Sequence, residues 1–140
     1  MVYTFRRAGR PDLDLLVSLA ALAVNPERRT WLWEMLERQA VTLCVADDEV
    51  CAYGVLEHTF FGHAFIAMVY VDPSWRRRGA ARALLTHLCA ASSTPKVFSS
   101  TNLSNAPMHS LFRQLGWEVG GLLNHLDDGD PEVVYVRLPT

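Results

Sequence analysis

One stretch constrains this chain more than any other: Val69-Tyr70-Val71-Asp72-Pro73-Ser74-Trp75-Arg76-Arg77-Arg78-Gly79-Ala80-Ala81-Arg82. It closes an apolar run, Ala64 to Val71, of strand length and without a charge. Such a run suits a central strand buried on both faces. Asp72-Pro73 ends it, because proline cannot continue a ladder. From Arg78 to Ala91 the period becomes helical, with Ala81, Leu84, Leu85 and Leu88 on one side. The first turn then holds Gly79, Ala80 and Ala81, all small, and leaves unpaired N–H groups open to a bulky anion. Arg76, Arg77, Arg78 and Arg82 add positive charge at the same end. Basic residues there oppose the helix dipole and cost stability unless an anion compensates. The pattern therefore reads as a pyrophosphate site built from backbone donors; the plain alternative is a solvated basic run.

The remaining elements fit around this junction. Val2 to Arg6 forms a short strand, and Gly9-Arg10-Pro11-Asp12 starts a helix with Leu13, Leu16, Val17 and Ala20 on one face. Asn25-Pro26-Glu27 stops that helix and caps a second, which carries Trp31, Leu32, Met35 and Leu36. Strands follow at Val41 to Ala46, Val50 to Thr59 and Ala64 to Val71, separated by the tight turns Asp47-Asp48-Glu49 and Phe61-Gly62-His63. Beyond the Arg78 helix come a strand at Val97 to Ser100 and a helix from about Asn105 to Leu115, stopped by Gly116. A final strand pair spans Trp117 to Leu123 and Val133 to Leu138. The expected fold is α/β: one domain over residues 1–140, a mixed sheet of about seven strands, and four helices on both faces. The three middle strands are antiparallel, and the helical crossover makes Ala64–Val71 and Val97–Ser100 parallel.

Bulk properties narrow the function. The 140 residues suit one core, and half of them are hydrophobic. Thirteen basic against fifteen acidic side chains leave −2, which excludes a broad basic face for nucleic acid or an anionic membrane. The three cysteines, Cys44, Cys51 and Cys89, include no C-x-x-C pair. Buried free thiols in a cytoplasmic protein are expected, with no disulfide framework and no metal.

Arg76-Arg77-Arg78-Gly79-Ala80-Ala81 matches the Q/R-x-x-G-x-G/A signature of the GNAT superfamily of N-acyltransferases. Asn105-Ala106-Pro107-Met108-His109-Ser110-Leu111-Phe112-Arg113-Gln114-Leu115-Gly116-Trp117 resembles the family's N-x-x-A-x-x-L-Y-x-x-x-G-F helix, and the element order agrees over nearly the whole chain. The resemblance implies transfer of an acetyl group from acetyl-CoA, as co-substrate, to an amine. It implies that Val69 and Val71 bond the pantetheine arm through their backbone, with the Val69 N–H as oxyanion donor. The diphosphate would take the N–H groups of Arg77, Arg78, Gly79, Ala81 and Arg82, with Arg76 adding charge. Asn105 and Phe112 would meet the coenzyme from the later helix; a plain N-cap is the alternative for Asn105. Trp31, Met35 and Tyr70 would line the acceptor pocket, with Trp33 nearby, although a helical apolar stripe also suits a core.

Two positions depart from the family pattern. Phe112 replaces the tyrosine that can protonate the leaving thiolate, so water or His109 would substitute. Met68 stands where a proton-relaying carboxylate is common, which leaves Glu57 on the preceding strand as the base, with His58 beside it. These departures keep a second hypothesis alive, a non-catalytic acyl-CoA-binding sensor or scaffold. A nucleotide-binding domain is disfavoured, since there is no G-x-G-x-x-G and no Walker lysine. Carboxylates between Asp127 and Glu132 could face a cationic acceptor or form an ordinary turn. A homodimer stays open.

Overall fold

The computed structural model describes residues 2–19 and 26–140, so the expectations for Ala20 and Asn25 fall outside the described residues. Seven strands form one mixed sheet in the order β1-β2-β3-β4-β5-β7-β6, and four α-helices accompany it among the described residues. This is the expected architecture. The chain divides into two compact units, Met1–Leu56 with Met68–Ala90, and Glu57–Ala67 with Ala91–Thr140. Strands β3 and β4 run from one unit into the other.

The first unit begins with β1 (Thr4–Arg7), a 3-10 turn (Arg10–Asp12), α1 (Leu13–Leu19), α2 (Pro26–Glu37) and β2 (Val41–Ala46). Asp12 accepts from the Gly9 amide at 2.8 Å and pairs with Arg6 at 3.0 Å, which fastens the entry to α1 onto β1. Strand β1 is antiparallel to β2, and β2 to β3 (Glu49–Phe60). Asp47 and Asp48 both hold positive φ, 51° and 61°, the geometry that joins twisted strands by a two-residue turn. The core of this unit takes Leu16, Leu32, Met35 and Leu36 from the helices, and Val41, Leu43, Tyr53 and Val55 from the strands.

The unit closes with the end of β4 (His63–Val71), a 3-10 turn (Pro73–Trp75) and α3 (Ala80–Ala91). Leu84, Leu85 and Leu88 are the buried side of α3. They lie so close to β3 that a Cβ on Gly54 would stand 2.7 Å from a Leu88 methyl and 3.3 Å from the Met68 carbonyl oxygen. Gly54 thus lets α3 settle directly on the sheet.

In the second unit β4 runs parallel to β5 (Val97–Asn102), with Ala64, Phe65 and Ile66 opposite Val97, Phe98 and Ser99. Helix α4 (Ala106–Gln114) leads to β6 (Glu118–Leu123) and β7 (Glu132–Arg137). The final pair does not simply extend the sheet. Strand β7 inserts between β5 and β6 and is antiparallel to both. Val133, Val134, Tyr135 and Val136 are all buried, as an interior strand requires.

Candidate functional site

The strand-to-helix junction lies wholly in the first unit. Trp75 is buried and its amide donates to the Asp72 carbonyl at 2.8 Å, closing the turn that follows β4. Arg77 and Gly79 then adopt left-handed backbone, φ 63° and 85°. Helix α3 begins later than expected, at Ala80 rather than Arg78, because a right-handed helix cannot include Gly79 at that angle. The Gly79 carbonyl accepts from the Ala83 amide at 3.0 Å, so Gly79 is the N-cap, and the N–H groups of Ala80 and Ala81 precede the first bond of the helical ladder. A Cβ built at Gly79 would meet nothing within 4 Å. The space beside this turn is therefore open on the side where a Gly79 side chain would stand.

The arginines differ in their engagements. Arg76 donates from Nε to the Val71 carbonyl at 3.2 Å, and its guanidinium lies 5.7 Å from the centre of the Tyr70 ring. The Arg78 guanidinium lies 5.0 Å from the centre of Trp75. Its carbonyl accepts from the Tyr3 hydroxyl at 2.6 Å, a contact without a local sequence signal. Arg77 and Arg82 are exposed. Val69 and Val71 are half-buried on β4, beyond Ile66, the last residue of that strand paired with β5. One strand end, one turn and one helix start thus gather Val69, Val71, Arg76, Arg77, Arg78, Gly79, Ala81 and Arg82.

The residues expected at the acceptor divide. Trp31 is half-buried beneath Arg28, whose guanidinium lies 5.9 Å from its centre. Met35, only 2% exposed, belongs to the core and offers no surface to a ligand, a correction to its expected role. Trp33 is exposed under Arg10. Tyr70 is half-buried, its ring 5.9 Å from that of Tyr53. Sequence reasoning passed over Tyr53. Its ring is fully buried, its hydroxyl has no hydrogen-bond partner among the described residues, and burial pushes its pKa up to about 12.

The remaining candidates belong to the second unit. Glu57 is half-buried on β3. His58 is exposed, and its Nε2 accepts from the Ser93 amide at 3.2 Å. Asn105 caps α4: its side chain accepts from the Met108 amide at 3.3 Å and donates to Thr101 at 3.0 Å. Both nitrogens of His109 are committed. Nε2 faces the Asn102 and Leu103 carbonyls, each at 3.0 Å, so it must carry a proton; Nδ1 meets the Tyr135 hydroxyl at 2.6 Å. Phe112 is fully buried, stacked on Tyr135 at 4.5 Å and packed against Trp117 at 4.9 Å. Contact between Phe112 and a coenzyme is corrected accordingly: the ring is core.

The acidic connection between β6 and β7 is tied down. Asp127 accepts from Asn102 at 2.8 Å, Asp130 from Ser104 at 2.6 Å, and Glu132 from Ser100 at 2.7 Å. These carboxylates fasten the connection to β5 and the residues that follow it, which is the ordinary-turn alternative.

A family model described as acetyltransferase (GNAT) family matches residues 12–117. The chain belongs to the GNAT acetyltransferase family. A search of curated proteins finds no match. Among solved structures, a GNAT family acetyltransferase from Bacillus cereus ATCC 10987 has a TM-score of 0.90 at 29% identity, covering 100% of this chain and 99% of its own. The ribosomal-protein-S18-alanine N-acetyltransferase of Escherichia coli has a TM-score of 0.80 at 20% identity, covering 99% and 94%. An acetyltransferase structure from Bacillus anthracis str. Ames, in complex with acetyl coenzyme A, has a TM-score of 0.63 at 16% identity, covering 70% and 61%. As a GNAT acetyltransferase, this chain is an enzyme. No described helix is long and apolar enough to cross a membrane.

Proposed function

We propose that this GNAT enzyme transfers an acetyl group from acetyl-CoA to a primary amine by direct attack, and that residues 1–140 act as one such domain in the cytoplasm. The observation that carries this reading is the turn at Arg77–Gly79. Left-handed Arg77 and Gly79 lead into the helix start, a Cβ on Gly79 would meet nothing within 4 Å, and the arginines around it are exposed. A glycine-led helix start beside open space and positive charge suits the diphosphate of a coenzyme.

Arg77, Arg78, Gly79, Ala81 and Arg82 would take the diphosphate, and Val69 and Val71 the pantetheine amides, leaving the Val69 N–H to support developing oxyanion charge. Attack by a neutral amine releases a thiol and makes an amide, with no acyl-enzyme. Positioning would supply much of the acceleration. Glu57 is the proposed base. Trp31 and Tyr70 remain proposed acceptor contacts, and Asn105 is proposed to reach the coenzyme while serving as an N-cap. His109 would have to exchange a present hydrogen bond to act as an acid, so water is the better proton source.

Two observations favour a second reading, a binding module without turnover. Phe112 is buried where the family's tyrosine stands, and His109 has no spare nitrogen. Titration calorimetry with acetyl-CoA, followed by thiol release over a panel of amines, separates the readings. Binding with turnover on at least one amine supports the transferase. Binding without turnover on any supports the module, and no binding sinks both.

A further inference from the structure

The contact between Tyr3 and Arg78 joins residues far apart in sequence but close in the first unit, and it bears on the direction of one donor. The carbonyl of Arg78 and the N–H of Gly79 share one peptide plane, and that peptide is trans. In a trans peptide these two groups point in opposite directions. A hydroxyl that draws the Arg78 oxygen towards itself at 2.6 Å therefore sends the Gly79 N–H the other way. Glycine accepts either sign of φ at little cost, so an untethered peptide beside Gly79 can turn over. Arg77, two residues before Gly79, is also left-handed, so the Arg78–Gly79 peptide lies outside α3.

The tether is itself anchored. Tyr3 directly precedes β1, whose residues Thr4 to Arg7 are paired with β2. Phe5 stacks on His87 of α3 with ring centres 4.1 Å apart and planes 12° apart. Tyr3 and Phe5, two residues apart, therefore touch the peptide just ahead of α3 and the helix itself at His87. The hydroxyl is held in the frame of the helix start that it orients.

We propose that Tyr3 is a positioning residue of the diphosphate-binding turn, holding the Arg78–Gly79 peptide so that the Gly79 N–H faces the coenzyme. This rests on the reading of that turn as the coenzyme site. A residue acting this way should matter for affinity at the diphosphate and not for acetyl transfer itself.

The test compares wild type with Tyr3→Phe, which keeps the ring and its packing. The Kd and KM for acetyl-CoA should rise about 3- to 10-fold, the scale of one hydrogen bond, with kcat at saturating acetyl-CoA unchanged. An acetyl donor truncated before the diphosphate, S-acetylpantetheine, should show the same kcat/KM in both proteins. The Gly79 amide resonance should shift and exchange faster in the variant. Unaltered affinity for acetyl-CoA, or an equal loss on the truncated donor, overturns the tether while leaving the coenzyme reading intact. An unmoved Gly79 amide overturns it as well. If wild-type protein binds no acetyl-CoA, the coenzyme reading itself falls, and this proposal with it.

Discussion

Tyr53 and Tyr70 meet side by side, ring centres 5.9 Å apart, and the Tyr53 hydroxyl is sealed from water without a hydrogen-bond partner among the described residues. A buried hydroxyl in that state costs about 1–3 kcal/mol of desolvation. Tyr53→Phe removes the oxygen and keeps the ring. It should raise stability by about 1 kcal/mol, read as a higher midpoint in urea at unchanged slope. A lower midpoint would show that the hydroxyl is satisfied in solution.

Gly79→Glu places a side chain and a negative charge in the open space over the helix start. Left-handed backbone costs a non-glycine residue about 1–2 kcal/mol, a loss a folded domain survives. Acetyl-CoA binding should be abolished by calorimetry while the circular dichroism spectrum stays native. Wild-type affinity in this variant would place the diphosphate elsewhere.

Gly54→Val puts three carbons where Leu88 and the Met68 carbonyl already stand. Overpacking of this kind costs about 1–3 kcal/mol. The thermal midpoint should drop, and acetyl-CoA affinity should weaken with it, because α3 can no longer seat on β3. A midpoint within a degree of wild type would show that the leucines yield freely.

Glu57→Gln keeps the size of the side chain and removes its basicity. If Glu57 accepts the amine's proton, turnover should fall by about 10²-fold or more, with little change in the KM for acetyl-CoA. A rate-versus-pH profile that matches wild type would take Glu57 out of the mechanism.

Burial pushes the thiol of Cys44 and the phenol of Tyr53 each up to about 12, from 9.0 and 10.0. The unfolded chain releases these protons first, so their contribution to stability is complete below the ordinary values and is lost as pH rises towards 12. Unfolding free energy should decline over that range, and Cys44→Ala should flatten the lower part of the decline. An identical slope in the variant would assign the alkaline loss to other groups.

The strand-to-helix junction was legible because its punctuation is local. Pro73 ends a ladder, and Gly79 with its alanines marks a helix start within a few residues. The boundary was misplaced at Arg78 because helical spacing in sequence does not reveal a left-handed Gly79. Residues whose roles depend on distant partners were not legible. His109 could be read as a free acid only until Asn102, Leu103 and Tyr135 were seen to hold its ring. Asp127, Asp130 and Glu132 looked available for the same reason. The interior place of β7 did leave a trace, the unbroken Val133-Val134-Tyr135-Val136, but four apolar residues do not say which strands lie on either side. Tyr3 left none.

Because β7 lies between β5 and β6, a growing polypeptide makes β6 before the strand that connects it to the rest of the sheet exists. On the ribosome β6 must wait with its pairing edge bare, the state in which strands meet the wrong neighbour. Damage to β7 would therefore strand β6 as well, and a lesion in Glu132–Arg137 would remove two strands from the sheet.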